Sequence, residues 1–142
     1  MSTYNYKPGL GHVAAYQVSS TPYVKGPIDN APNSGGPFKI KFPKVTRWIK
    51  IYNYGSTGAN PSEEVICAFS VNGLNNQSNA FSVLPTDVLH LDLKVTELYY
   101  TGSCPSFTIV AGLTSIDILE INNDSISPSG ANWSGSVNAE VG

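Results

Sequence analysis

The chain has 142 residues, 15.1 kDa, enough for one ordinary domain and too short for a second independent core. A formal net charge of -2, from 8 basic and 10 acidic residues, excludes an overall field that would draw the protein to nucleic acid or to an anionic membrane. Only 13% of residues are charged and 41% are apolar, a low charge density that leaves room for surface occupied by other protein.

Residues 1–11 carry Tyr, Pro and Gly without periodicity and read as an extended N-terminal arm. His12 to Val18 favours a short strand, and "TPYVKG" a second. The stretch "GPIDNAPNSGGP" is rich in Pro and Gly and reads as a long loop, because a ladder through it would lack donors.

"PFKIKF" alternates strictly, with Phe38, Ile40 and Phe42 on one face and Lys39 and Lys41 on the other, the period-2 mark of a half-buried strand. Pro43 interrupts it. In "VTRWIKIYN" alternation places Val45, Arg47, Ile49, Ile51 and Asn53 on one face and Thr46, Trp48, Lys50 and Tyr52 on the other. Both faces carry large apolar groups, which a one-layer surface sheet does not require.

"EEVICAFSVNG" puts Val65, Cys67, Phe69 and Val71 on one face and ends in an Asn72-Gly73 turn signal. Phe81 and Val83 alternate before Pro85 breaks the run. "VLHLDLKV" sets Leu89, Leu91 and Leu93 against Val88, His90, Asp92 and Lys94. "TELYYTG" leads to a Cys-Pro turn, and "SFTIVAGL" sets Phe107, Ile109 and Ala111 against Thr108 and Val110. "TSIDILEI" fits either a short strand or a helical turn.

No window shows a capped helical period, while seven to nine short strands recur with regular turns. The expected fold is all-β: an antiparallel β-sandwich of jelly-roll type spanning 12–121, with an N-terminal arm at 1–11 and a Ser-, Asn- and Gly-rich tail at 122–142.

The residues offer little catalytic chemistry. His90 and Asp92 share a strand face without a recognisable nucleophile, and Glu63, Glu64 and Glu97 show no spacing that sets two carboxylates across a cleft. Cys67 and Cys104 are too few for a structural zinc site, and the N-terminus lacks a leader pattern, so they read as reduced thiols in a non-secreted chain. No catalytic, cofactor or metal residue is assigned, and no membrane partner is expected.

Lys39, Lys41, Lys44, Arg47 and Lys50 form a basic cluster in which Trp48 and Tyr52 interleave. A stripe across two adjacent strands would suit an anionic partner; edge-protecting lysines are the simpler reading, and nucleic acid is not favoured. Tyr4, Tyr6, Tyr16 and Tyr23 fall in the first 23 residues, and tyrosine supplies large contact area at low entropic cost. With Trp48 and Tyr52 they are the candidate partner-interface residues.

"AYQVSSTPYV", "IKFPKVTRWIKIYN", "LHLDLKVTELYYTG" and "SFTIVAGLTSI" resemble small structural proteins of tailed bacteriophages, especially those of marine cyanobacteria, over residues 14 to 118. The resemblance implies a virion component without enzymatic activity, a capsid-surface decoration or a related head or tail part; low charge density and two-faced strands add the expectation of a homo-oligomer, a trimer, cementing a capsid against the major capsid protein or another virion protein. The resemblance also implies that Val45, Ile49 and Ile51 fill the core while Trp48 and Tyr52 meet a neighbour. Two alternatives stand beside it: a carbohydrate-binding jelly-roll module stacking sugars on Trp48, Tyr52 or Trp133, and a tail or baseplate component.

Overall fold

The computed structural model describes residues 20–29, 38–55, 62–76 and 79–118. Tyr4, Tyr6, Tyr16, the expected strand at 12–18, the arm at 1–11 and the tail at 122–142 with Trp133 lie outside them. The described residues form eight strands and one short helix: β1 (Thr21–Asp29), β2 (Phe38–Lys41), β3 (Thr46–Asn53), β4 (Val65–Ala68), α1 (Val71–Asn76), β5 (Phe81–Val83), β6 (Val88–Leu91), β7 (Glu97–Gly102) and β8 (Ser106–Leu113).

They make two four-stranded antiparallel sheets, ordered β1-β8-β3-β6 and β2-β7-β4-β5. The pairing has a simple logic. β1 pairs with β8, β2 with β7, β3 with β6 and β4 with β5, the ladder of one long hairpin folded at its middle. The additional pairs β3 with β8 and β4 with β7 close each sheet when that ribbon is rolled. The protein is an all-β sandwich.

Alternation fills the space between the sheets. Ile49 and Ile51 of β3, Phe107 and Ile109 of β8, Ile40 of β2, Leu98 of β7 and Val65 and Cys67 of β4 are fully buried in one cluster. Burial of each large side chain is worth about 1.5–3 kcal/mol relative to exposure. Tyr100 joins the sheets through rings, stacked on Phe38 at 5.4 Å and edge-on to Phe107 at 4.9 Å.

Three details correct the sequence reading. The expected loop "GPIDNAPNSGGP" begins as strand, because β1 runs through to Asp29. A register shift between Lys25 and Ile28 absorbs Gly26 and Pro27, so the proline falls where no regular ladder bond is required.

Alternation also fails at the start of β3. Thr46 pairs with Leu113 and Trp48 with Gly112, so two steps on β3 match one on β8 and Arg47 is the extra residue of a bulge. Arg47 is exposed instead of sharing the core face with Ile49, and Thr46 is buried. The Thr46 hydroxyl accepts from the Val95 N–H at 2.9 Å and donates to the Leu93 carbonyl at 3.0 Å, tying β3 to the chain leading into β7.

Asn72-Gly73 does not turn a hairpin; it lies in α1. Ser70 caps that helix, its hydroxyl accepting from the Gly73 N–H at 2.9 Å. This outcome was visible as a serine three residues ahead of the glycine. Val71 consequently leaves the strand face and is exposed, while Leu74 packs on Ala68 and Tyr99 across the outside of the second sheet.

Candidate interaction surface

The solvent side of the sheet β1-β8-β3-β6 is assembled from the residues that alternation turns away from the core. One row crosses all four strands as Val24, Val110, Lys50 and His90. A second runs through Thr108, Tyr52 and Val88, and a third through Pro22, Gly112 and Trp48. Val24 is 63% exposed and Val88 54%, and Tyr54 and Leu84 stand exposed at the Val88 end. The two exposed valines stand on the opposite edge strands β1 and β6, with Lys50 and His90 in the row of Val24 and half-buried Tyr52 beside Val88, so the face mixes apolar and charged groups.

Trp48 is half-buried, and its indole takes the space that a side chain on Gly112 would need. A Cβ built on Gly112 would stand 2.6 Å from Trp48 Cε2 and 2.6 Å from Ser20 Cβ, inside any real contact. The ring meets His90 edge-on at 5.9 Å, and Lys50 Nζ lies 5.9 Å from its centroid. His90 Nε2 is 3.2 Å from Asp92 Oδ1, so the same-face pair expected from spacing is formed. Glycine inside "VAGL" was the sequence signal for this close approach, and the sequence reading passed over it.

Tyr52 is half-buried in the middle of the face. Tyr23 lies on the other side of its sheet: its ring packs edge-to-face on Phe42 at 5.4 Å and against the core, and burial raises its pKa. Of the interface candidates, the structure therefore brings Trp48 and Tyr52 together on one face and turns Tyr23 inward.

The basic cluster does not form a stripe. At Pro43 the chain crosses between sheets, so β2 and β3 are not adjacent strands. Lys39 and Lys41 lie outside the second sheet, where their Nζ atoms are 3.4 and 4.0 Å from Glu97 Oε1. Lys44 pairs with Asp117 at 4.0 Å, Arg47 sits on the bulge and Lys50 lies over Trp48. Glu97 is buried among these groups and also accepts from the Tyr99 hydroxyl at 2.7 Å. Burial, with that hydrogen bond and the carboxylate charge, holds the Tyr99 pKa above the ordinary tyrosine value.

Cys67 and Cys104 are both fully buried as thiols. Burial first, and the neighbouring Cys104 second, push the Cys67 pKa up, away from the thiolate form that reacts. Among the described residues no group of three or more His, Cys, Asp or Glu could hold a metal ion, and no helix is long and apolar enough to cross a membrane. An open hollow lined by Arg47, Asp92, Leu93 and Lys94 adjoins the Trp48 end of the face. No protein-family model, no curated protein and no solved structure matches the chain.

Proposed function

We propose that the protein is a non-enzymatic virion structural component that decorates or cements a capsid surface through subunit contacts. The observation that carries the reading is the outer face of β1-β8-β3-β6, where Tyr52, Val24 and Val88 present apolar surface with Trp48 at one end. The resemblance to phage structural proteins supplies the virion setting. The rolled-ribbon pairing supports a jelly-roll assignment, since eight strands wound in this way form two Greek keys.

The edge of β1 favours contact by the face over strand addition. Among the described residues β1 is an edge strand, and Pro22, Lys25 and the Gly26-Pro27 bulge interrupt that edge, devices that block pairing with another chain. A trimer tying adjacent capsomers is the working arrangement, and an interface of about 1,600 Å² repeated over a shell would be sufficient.

The test is light scattering of the purified protein followed by cosedimentation with assembled capsids. Oligomers near 45 kDa, about three times the chain mass, and capsid association are expected. A 15 kDa monomer at micromolar concentration that ignores capsids would overturn the reading. Saturable binding of a glycan by that monomer would move the assignment to a carbohydrate-binding module stacking sugar on Trp48 and Tyr52.

A further inference from the structure

The two cysteines of the chain come from separate parts of the sequence yet share one core cluster. Cys67 is buried on β4, two places beyond the equally buried Val65, so both side chains point between the sheets. Cys104 lies between β7 and β8, where the chain leaves the second sheet for the first. Gly102 permits that crossing: with φ 125° it rests against the Glu64 carbonyl, where a Cβ would collide. The Ser103 and Cys104 N–H groups then both donate to that same carbonyl, at 3.2 and 3.3 Å. The crossing segment is thereby pinned to the chain entering β4, and the Cys104 side chain joins the intersheet core beside it.

The thiols are near enough for the charge of Cys104 to act on Cys67. Exchange requires a thiolate and access for the oxidant, and the closed core withholds both. We propose that Cys67 and Cys104 are a fold-gated redox pair. A low-molecular-weight disulfide such as oxidised glutathione joins them while the sandwich is open, and closure of the fold then seals the bond.

In the open chain one cysteine thiolate attacks the oxidant, forming a mixed disulfide and releasing one glutathione thiolate. The second cysteine thiolate attacks the protein sulfur of that intermediate, forms the bond between Cys67 and Cys104, and expels the other glutathione thiolate. Two protein thiols are oxidised and one glutathione disulfide is reduced; the released thiolates take up the two protons. The bond closes a loop of roughly 40 residues holding α1, β5, β6 and β7, which restricts the unfolded chain and so favours the folded one. None of this depends on the capsid reading.

The experiment uses the full chain, purified reduced and without substitution. Oxidised glutathione is added to one sample in buffer and to another at its urea midpoint, later diluted back to buffer. Alkylation and mass spectrometry of intact protein and peptides follow. A monomer lighter by two hydrogens, joined at Cys67 and Cys104, is expected to form at least about tenfold faster at the midpoint, where the open state is populated. It should melt roughly 10 °C above the reduced protein. In buffer it should also resist dithiothreitol until urea is added. Two free thiols, persistent glutathione adducts or intermolecular dimers after the urea step would overturn the proposal, because the fold would then not bring the pair within bonding distance. A joined chain that melts no higher than the reduced one would overturn it too, as would oxidation equally fast in buffer and in urea.

Discussion

Trp48 and Gly112 are complementary: the indole of one lies where the other has no side chain. Any Cβ at position 112 must displace the ring from β8 and, with it, the edge contact to His90 and the position over which Lys50 lies. Gly112→Val is expected to destabilise the fold by about 1–3 kcal/mol, the usual range for overpacking. Thermal unfolding would measure the loss, and tryptophan emission in a Trp133→Phe background would report the ring leaving its seat. An unchanged melting temperature and spectrum would show that the ring is free to move.

Asn53 is a second point where shape and polarity are both fixed. Its Nδ2 donates to the carbonyls of Glu63 and Val83, each at 2.9 Å, and its Oδ1 accepts from the Gly55 N–H at 3.0 Å. Asn53→Asp keeps the volume but sets an acceptor against two carbonyl oxygens in a buried site. A cost of roughly 3 kcal/mol or more is expected at neutral pH. The new carboxyl would have a folded pKa raised above the unfolded value, so the penalty should shrink as pH falls and grow as it rises. Denaturant melts at pH 4 and pH 7 check the sign.

The sandwich was legible because alternation is a strong signal wherever one strand face is buried. Ile49 and Ile51 lie in the core as expected, and Phe107, Ile109 and Ala111, grouped on one face by alternation, are buried together. Sequence failed where a single residue changed the period. The bulge at Arg47 shifts the pattern by one, and nothing in "VTRW" marks it. The basic cluster misled for a topological reason: neighbours in sequence were assigned to neighbouring strands, whereas Pro43 sends β2 and β3 to opposite sheets. Asn53 was placed correctly inward, yet its role depends on carbonyls from residues 10 and 30 positions away, which spacing does not reveal.

Thr86 carries local strain. The Asp87 N–H donates to the Leu84 carbonyl at 3.1 Å, closing a turn with Pro85 second and Thr86 third, and Thr86 has φ 68°. That geometry matches a type II turn, whose third position favours glycine. Thr86→Gly removes a left-handed penalty of about 1–2 kcal/mol and adds up to about 1 kcal/mol of backbone entropy cost. A net gain of up to about 1 kcal/mol is expected in a urea melt, and a loss would show that the threonine side chain makes a compensating contact.

Alkaline pH provides a test of the buried tyrosines. Burial raises the pKa of Tyr23, Tyr99 and Tyr100, and for Tyr99 the Glu97 carboxylate adds to the effect. In the unfolded chain each ionises near 10, so above that pH the folded state holds more protons and stability falls as pH rises. Below it their contribution is fully present. Tyr99→Phe should flatten the decline by the share of one group, measured as denaturation midpoint against pH from 8 to 11.5. A slope identical to that of the parent protein would show that Tyr99 ionises as freely in the fold as outside it.

The sharpest division lies within β3, between Ile49 and Tyr52. Ile49 is fully buried between the sheets, and Ile49→Ala leaves a cavity expected to cost roughly 2–5 kcal/mol of stability. Its outward face is untouched, so whatever fraction folds should still associate normally. Tyr52 lies on the opposite face between Thr108 and Val88, half open to solvent. If that face meets another subunit, Tyr52→Ala removes an aromatic anchor and should weaken association by about 2 kcal/mol, close to thirtyfold, with a smaller effect on unfolding. Sedimentation equilibrium and thermal melts on both variants separate the two effects. Tyr52→Ala that melts early but assembles like the parent would make the residue a structural cover for its own sheet, and the subunit contact would then have to lie elsewhere.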